Sequence, residues 1–150
     1  NILKAIKISV EEGGKILYGE QLDKKTNKHG LYIKPTIIEG LDESSFLFNN
    51  EIFGPVVSVH VAKDDYHALN IANKSNFGLT AAVHTTSIER SFLYTKNLQT
   101  GTVNVNSGTF GSEPHMPFGG FGDSGNGTRE PGTQALDVYS ELKNISYLAG

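Results

Sequence analysis

Pro55-Val56-Val57-Ser58-Val59-His60-Val61-Ala62, followed by Asp64-Asp65 and the run Tyr66-His67-Ala68-Leu69-Asn70-Ile71-Ala72, is the stretch whose reading decides the fold. Val57, Val59 and Val61 alternate with Ser58 and His60, and a period of two predicts a strand over 56–62 half-buried on one face. Asp64-Asp65 supplies a helix start, and Ala68, Leu69, Ile71 and Ala72 carry a helical face that ends before Gly78. The pattern then repeats. Leu79 to Thr85 reads as a strand, Thr86-Ser87-Ile88-Glu89 has capping-box spacing, Ile88, Phe92 and Leu93 give a helix closed by Gly101, and Thr102 to Asn106 is a further strand. Strands alternating with short helices imply parallel crossovers, so the expected fold class is α/β: a partial open parallel sheet with helices on its faces.

Outward from this centre the signals are less regular. Ile2, Leu3, Ile6 and Val10 predict a helix stopped by Gly13-Gly14, and Lys15 to Tyr18 a short strand. Residues 20–30 read as an exposed turn. Leu31 to Ile38 is extended but interrupted by Pro35, which suits an edge or bulged strand. Residues 40–50 read as a loop. Downstream, Pro131 at a first helical position with Leu136, Tyr139 and Leu142 predicts a last helix, and Asn144 to Leu148 a final strand.

The chain has 150 residues, a net charge of -3 and no cysteine. That charge gives no electrostatic footprint for nucleic acid, and no apolar run is long enough to span a bilayer. A soluble cytoplasmic protein is therefore expected. Without cysteine there is no disulfide, no thiolate metal site and no thiol nucleophile within the chain. His29, His60, His67, His84 and His115 lack ligand spacing with one another or with acidic residues, so no metal site is expected. The start at Asn1, within an apolar-periodic helix and without a cap, suggests a portion of a longer chain.

Two motifs stand out. Asn50-Glu51-Ile52-Phe53-Gly54-Pro55-Val56 places a carboxylate and an aromatic ring two residues apart, which in extended chain puts both on one side. Met116-Pro117-Phe118-Gly119-Gly120-Phe121-Gly122-Asp123-Ser124-Gly125-Asn126-Gly127-Thr128-Arg129-Glu130 is dense in glycine, and glycine lets backbone approach backbone where a Cβ would collide. Gly120 to Gly125 matches G-x-G-x-x-G in form. The dinucleotide fingerprint needs a strand before it and a helix opening on its third glycine, whereas Pro114 and Pro117 precede this one and Gly127 follows.

In this order, the two motifs with the helix and strand that follow resemble the C-terminal part of the aldehyde dehydrogenase superfamily over nearly the whole chain. The resemblance divides the chain into residues 1–143, the C-terminal portion of a catalytic domain, and residues 144–150, an oligomerisation strand that pairs with a neighbouring subunit. It implies oxidation of an aldehyde to a carboxylic acid with NAD or NADP, through a cysteine thioester whose cysteine lies outside this chain. It also implies a homodimer or homotetramer.

By the same resemblance Glu51 holds the nicotinamide ribose and Phe53 packs near the nicotinamide, while Phe118 is a wall of the aldehyde entrance. The resemblance also has Glu130 assist proton transfer. From their place in the expected fold, Asn106 at the carboxyl end of a strand and His115 in the loop that leaves it are candidates to meet substrate. From the residues alone, Glu51 also reads as a solvated charge, Phe53 and Phe118 as core residues, His115 as a solvated loop residue, and Glu130 as a capping charge at a helix N-terminus. The family's lysine is replaced by Gly122, so no role of that lysine is carried over. The Glu113-Pro114-His115 lead-in and the spacing from Gly125 to Glu130 are similar to the semialdehyde branch, including 2-oxoglutarate semialdehyde dehydrogenases. The alternatives are a catalytically inactive interaction module using its C-terminal strand, and a nucleotide-binding protein using the glycine loop for phosphate.

Overall fold

The computed structural model describes residues 1–19 and 32–150, so the turn expected over 20–30, with His29, lies outside the described residues. The chain divides into two compact units, Asn1–Ser75 and Asn76–Gly150.

Unit 1 runs α1 (Ile2–Glu11), β1 (Lys15–Tyr18), β2 (Thr36–Glu39), α2 (Phe46–Asn49), β3 (Val56–Val59) and α3 (Asp65–Asn73). Ala5 and Ser9 are the buried residues of α1, one turn apart and therefore on one face. The Ser9 hydroxyl tolerates burial by donating to the Ala5 carbonyl at 2.9 Å. Past Glu12 the chain leaves the helix through Gly13 at φ +98°, a conformation with little penalty for glycine. β2 is antiparallel to β1 and parallel to β3, in the order β1-β2-β3. Ile38 of β2 is fully buried, and with Ala5, Leu41 and Leu69 forms the core of this unit. Burial of such a side chain contributes about 2 kcal/mol. Asp64 caps α3 by accepting the His67 N–H at 2.7 Å.

Three expectations need correction in unit 1. β2 is the middle strand and not an edge, and it starts at Thr36, directly after Pro35, because proline brings no N–H to a ladder; Thr36 N–H donates to the Pro55 carbonyl at 2.8 Å. The stretch 40–50 is not all loop: α2 sits within it, and both Glu12 carboxylate oxygens accept the Phe46 N–H at 3.1 and 2.9 Å, satisfying a donor that a first helical turn leaves free. In the stretch 56–62 the burial is opposite to the expected side. Val57, Val59 and Val61 are 53, 43 and 88% exposed, while Ser58 and His60 are half-buried, with Ser58 Oγ 3.0 Å from His60 Nε2 and the His60 ring edge-on to Phe48. Alternation identifies an apolar face but not what covers it.

Unit 2 runs β4 (Phe77–Gly78), β5 (Thr80–Val83), α4 (Ile88–Asn97), β6 (Thr102–Val105), β7 (Phe121–Gly122) and α5 (Ala135–Val138). β5 and β6 are parallel, with Thr80 opposite Thr102 and Val83 opposite Val105, and α4 forms the crossover between them. β4 and β7 form a separate antiparallel pair. The α4 cap is Ser87, one residue later than the Thr86 spacing suggests: its Oγ accepts the Arg90 N–H at 3.2 Å. The fold is thus mixed α/β with parallel pairs. The ladders are distributed over small sheets instead of one continuous sheet.

The C-terminal region departs further. α5 has only four residues, so Pro131 is not its first residue and Leu142 lies beyond it. Residues 140–150 are exposed and in no ladder among the described residues, with Leu142, Ile145, Tyr147 and Leu148 open to solvent. No helix among the described residues is long and apolar enough to cross a membrane.

Candidate active site

In the Glu51–Pro55 segment the backbone is tied down and the side chains are not. Asn50 is extended at φ -128° and ψ 134°. Gly54 N–H donates to the Ile52 carbonyl and Val56 N–H to the Gly54 carbonyl, both at 2.8 Å, while the Pro55 carbonyl accepts from Thr36. A Cβ on Gly54 would press into the Ile2 side chain of α1, so the inner side of the segment is packed against that helix. Ile52 is half-buried, whereas Glu51 and Phe53 on either side of it are exposed, Phe53 at 88%. Alternation therefore places the carboxylate and the ring on the same outward side. Glu51 has no hydrogen-bond or ion-pair partner among the described residues.

The glycine segment is built the other way. A Cβ on Gly101 would overlap the Gly119 carbonyl oxygen and lie 2.8 Å from its carbon, and one on buried Gly120 would lie 2.5 Å from the Ser124 Cβ. These approaches need glycine. β7 pairs with β4, Asp123 N–H donates to the Asn76 carbonyl at 2.9 Å, and Gly78 N–H donates to Ser124 Oγ at 3.1 Å. No helix opens at Gly125, so neither the dinucleotide fingerprint nor the phosphate-loop reading has the helix it requires. Arg129 donates from its guanidinium to the Thr128 carbonyl at 2.8 Å and sits 5.2 Å above the Phe121 ring, a structural placement for that cation.

Within unit 2 the structure joins Phe118 and Glu130: the Glu130 N–H donates to the Phe118 carbonyl at 2.6 Å, and both side chains are exposed. Glu130 is not at a helix N-terminus, since α5 begins only at Ala135. His115 is exposed on a turn in which Met116 N–H donates to the Glu113 carbonyl at 2.9 Å and Gly132 N–H to the Pro114 carbonyl at 3.1 Å.

Asn106 is held at the strand end by its own side chain. It follows β6 at φ +55°, its Oδ1 accepts the Thr85 N–H at 2.8 Å, and its Nδ2 donates to the Thr85 carbonyl at 2.9 Å. The amide thus imitates one more rung of the β5–β6 ladder and fixes where the following loop departs. Phe110, 84% exposed in that loop with its ring against the Gly108 α-carbon, is a candidate the sequence reading did not single out. Its signal is a large aromatic between two glycines after a strand end.

A cavity of about 960 Å³ in unit 1, lined among others by Glu39, Asp42, Phe48, His60, His67 and Lys74, takes in none of the expected site residues. Its charges are largely matched by the Lys15–Glu39 pair at 3.4 Å and the Lys74–Glu43 pair. On its rim the Ser44 hydroxyl and N–H donate to Asp42, holding that carboxyl below the usual carboxylate range.

Residues 1–145 match the model of the aldehyde dehydrogenase family. The chain is 33% identical over 97% of its length to an alpha-ketoglutaric semialdehyde dehydrogenase of Bacillus subtilis, and 34% identical over 97% to that organism's benzaldehyde dehydrogenase YfmT. It spans 30% and 28% of the length of those relatives. Among solved structures, it superposes on an indole-3-acetaldehyde dehydrogenase of P. syringae in complex with NAD+ with a TM-score of 0.84 at 36% identity, covering 95% of this chain and 28% of that one. The chain belongs to the aldehyde dehydrogenase family.

Proposed function

We propose that this chain is the C-terminal portion of a cytoplasmic enzyme that oxidises an aldehyde to a carboxylic acid with NAD or NADP, the cysteine nucleophile lying on polypeptide outside these residues. The observation that carries this reading is the outward pair of Glu51 and Phe53 on a fixed backbone. A nicotinamide nucleotide needs an acceptor for its ribose hydroxyls and a flat apolar surface for its ring. An unpartnered carboxylate and an exposed ring on one side of an extended segment fit both. The cofactor, when bound, supplies the hydride acceptor.

The chain's own contribution is placement. Glu51 orients the ribose, Phe53 limits the tilt of the ring, and fixing both from one rigid segment lowers the entropy cost of reaching a reactive geometry. Phe118 and Phe110 form apolar wall for the aldehyde, and His115 lies in the same lead-in. Asn106 sets the departure angle of that loop at the edge of the proposed pocket. Glu130, exposed and linked through its backbone to Phe118, is the proposed proton carrier. Its carboxylate accepts a proton from water and passes it to solvent. The exposed residues 144–150 supply the strand for assembly into a homodimer or homotetramer.

The substrate proposed is a semialdehyde of the 2-oxoglutarate type, supported by the Bacillus alpha-ketoglutaric relative and by the lead-in from Glu113 to His115. The test is a panel of aldehydes given to the polypeptide that unites this chain with the cysteine-bearing portion, followed by reduced-nicotinamide absorbance. Turnover of semialdehydes above benzaldehyde is expected. Equal turnover of both removes the branch assignment, and no turnover of any aldehyde overturns the activity. Residues 1–150 alone are expected to be silent, having no cysteine.

A further inference from the structure

Asn126-Gly127 is the one place in the sequence where glycine follows asparagine. In such a pair the nitrogen of the second residue sits next to the side-chain amide carbon of the first, and glycine leaves that nitrogen uncrowded and its backbone free to turn. Here both residues are exposed, Gly127 stands at φ +92°, and a Cβ added to it would meet nothing within 4 Å. The Gly127 N–H donates no hydrogen bond among the described residues.

The electrophile is also prepared. Asn126 Oδ1 accepts the Thr128 N–H at 3.1 Å and the Thr128 hydroxyl at 2.6 Å. Two donors on one carbonyl oxygen withdraw charge from its carbon and stabilise the oxygen as it becomes negative during addition. The other asparagine side chains with described bonds are arranged otherwise: Asn49, Asn50 and Asn97 use their amides to donate to helical carbonyls, and Asn106 is clamped to Thr85. None of them precedes glycine.

We propose that Asn126 is a self-modifying site, at which the Gly127 nitrogen converts the side-chain amide to aspartate and isoaspartate with Thr128 supplying the oxyanion donors. The Gly127 nitrogen loses its proton to solvent base and bonds to Cγ of Asn126. The Cγ–Nδ2 bond then breaks and ammonia leaves, taking a proton. Water opens the resulting five-membered imide at one carbonyl or the other. Water enters and ammonia departs, with no oxidation or reduction. The product places a new carboxylate close to Arg129 and Glu130, and the isoaspartate form lengthens the main chain by one carbon inside the glycine segment. The site does not rest on the enzymatic reading above, because the chemistry needs only residues 126–128.

The test uses purified residues 1–150 incubated at neutral and mildly alkaline pH, with mass spectrometry of the tryptic peptide ending at Arg129 and enzymatic labelling of isoaspartate. The peptide is expected to become one mass unit heavier, faster at higher pH and at least as fast in the folded chain as in urea. Thr128→Ala is expected to slow the conversion roughly tenfold, the value of about one hydrogen bond of 1.4 kcal/mol, and Thr128→Ser to restore it. An Asn126 that stays intact, converts more slowly folded than unfolded, or ignores Thr128→Ala overturns the proposal. The labelling does not depend on aldehyde turnover.

Discussion

Between Glu51 and Pro55 the chain fixes its backbone and leaves its side chains outside, whereas between Phe118 and Gly125 it removes side chains so that backbone can pack on backbone. The first segment is an instrument: what it does depends on the groups it presents. The second is a frame, and what it does depends on groups it lacks. Both lie within the residues that match the family model, yet substitutions in them are expected to fail in different assays. A frame residue is expected to change stability, whereas under the proposed function Glu51 or Phe53 is expected to change cofactor binding and leave stability nearly untouched.

The sharpest separation comes from Gly120→Ala. A Cβ there lies 2.5 Å from the Ser124 Cβ in a buried position, and overpacking of this kind costs about 1–3 kcal/mol, readable as a lower urea midpoint. An unchanged midpoint breaks the description of this segment as a frame. Next is Asn106→Ala, which loses both amide bonds to Thr85 and a residue type suited to positive φ, for about 1–2 kcal/mol. Asn106→Gly keeps the backbone freedom and loses only the clamp, so it is expected to fall between wild type and alanine. Phe53→Ala sharpens the opposite side: despite the loss of a whole aromatic ring, the midpoint is expected to move by no more than about 0.5 kcal/mol. A larger drop places Phe53 in a core.

The smallest effect expected concerns Asp42, which belongs to neither segment and so serves as a baseline. The Ser44 hydroxyl and N–H lower its folded pKa relative to the unfolded chain. Its contribution is therefore complete above the ordinary carboxylate range and lost as pH falls through the lowered folded value. Acid titration of Asp42→Asn against wild type is expected to show curves that converge at low pH. Divergence on acidification contradicts the sign.

Legibility in the sequence followed the physics of each signal. α1, α3, β1 and the parallel β5–α4–β6 unit were readable because apolar period, caps and glycine stops agree there. The steric purpose of the glycines was readable too, since close approach is the commonest reason to remove a Cβ. The covered side of β3 was not, because Val57, Val59 and Val61 announce an apolar face without naming its partner. Pro131 misplaced the last helix: a proline is compatible with a first turn but does not by itself nucleate one, and only Ala135–Val138 is helical. Asn106 was located correctly at a strand end but its clamp to Thr85 depends on a register that only the folded ladder defines. Glu51 and Phe53 were legible as a pair because two residues apart on extended chain means one side.

The most direct measurement of the central claim is the KM for NAD+ of Glu51→Gln, made in the polypeptide that unites this chain with the cysteine-bearing portion. Removing a charged acceptor from the ribose is expected to raise that KM roughly tenfold or more, at an unchanged unfolding midpoint. An unchanged KM, or a rise that appears only together with loss of stability, contradicts the assignment of Glu51 as the group that holds the cofactor.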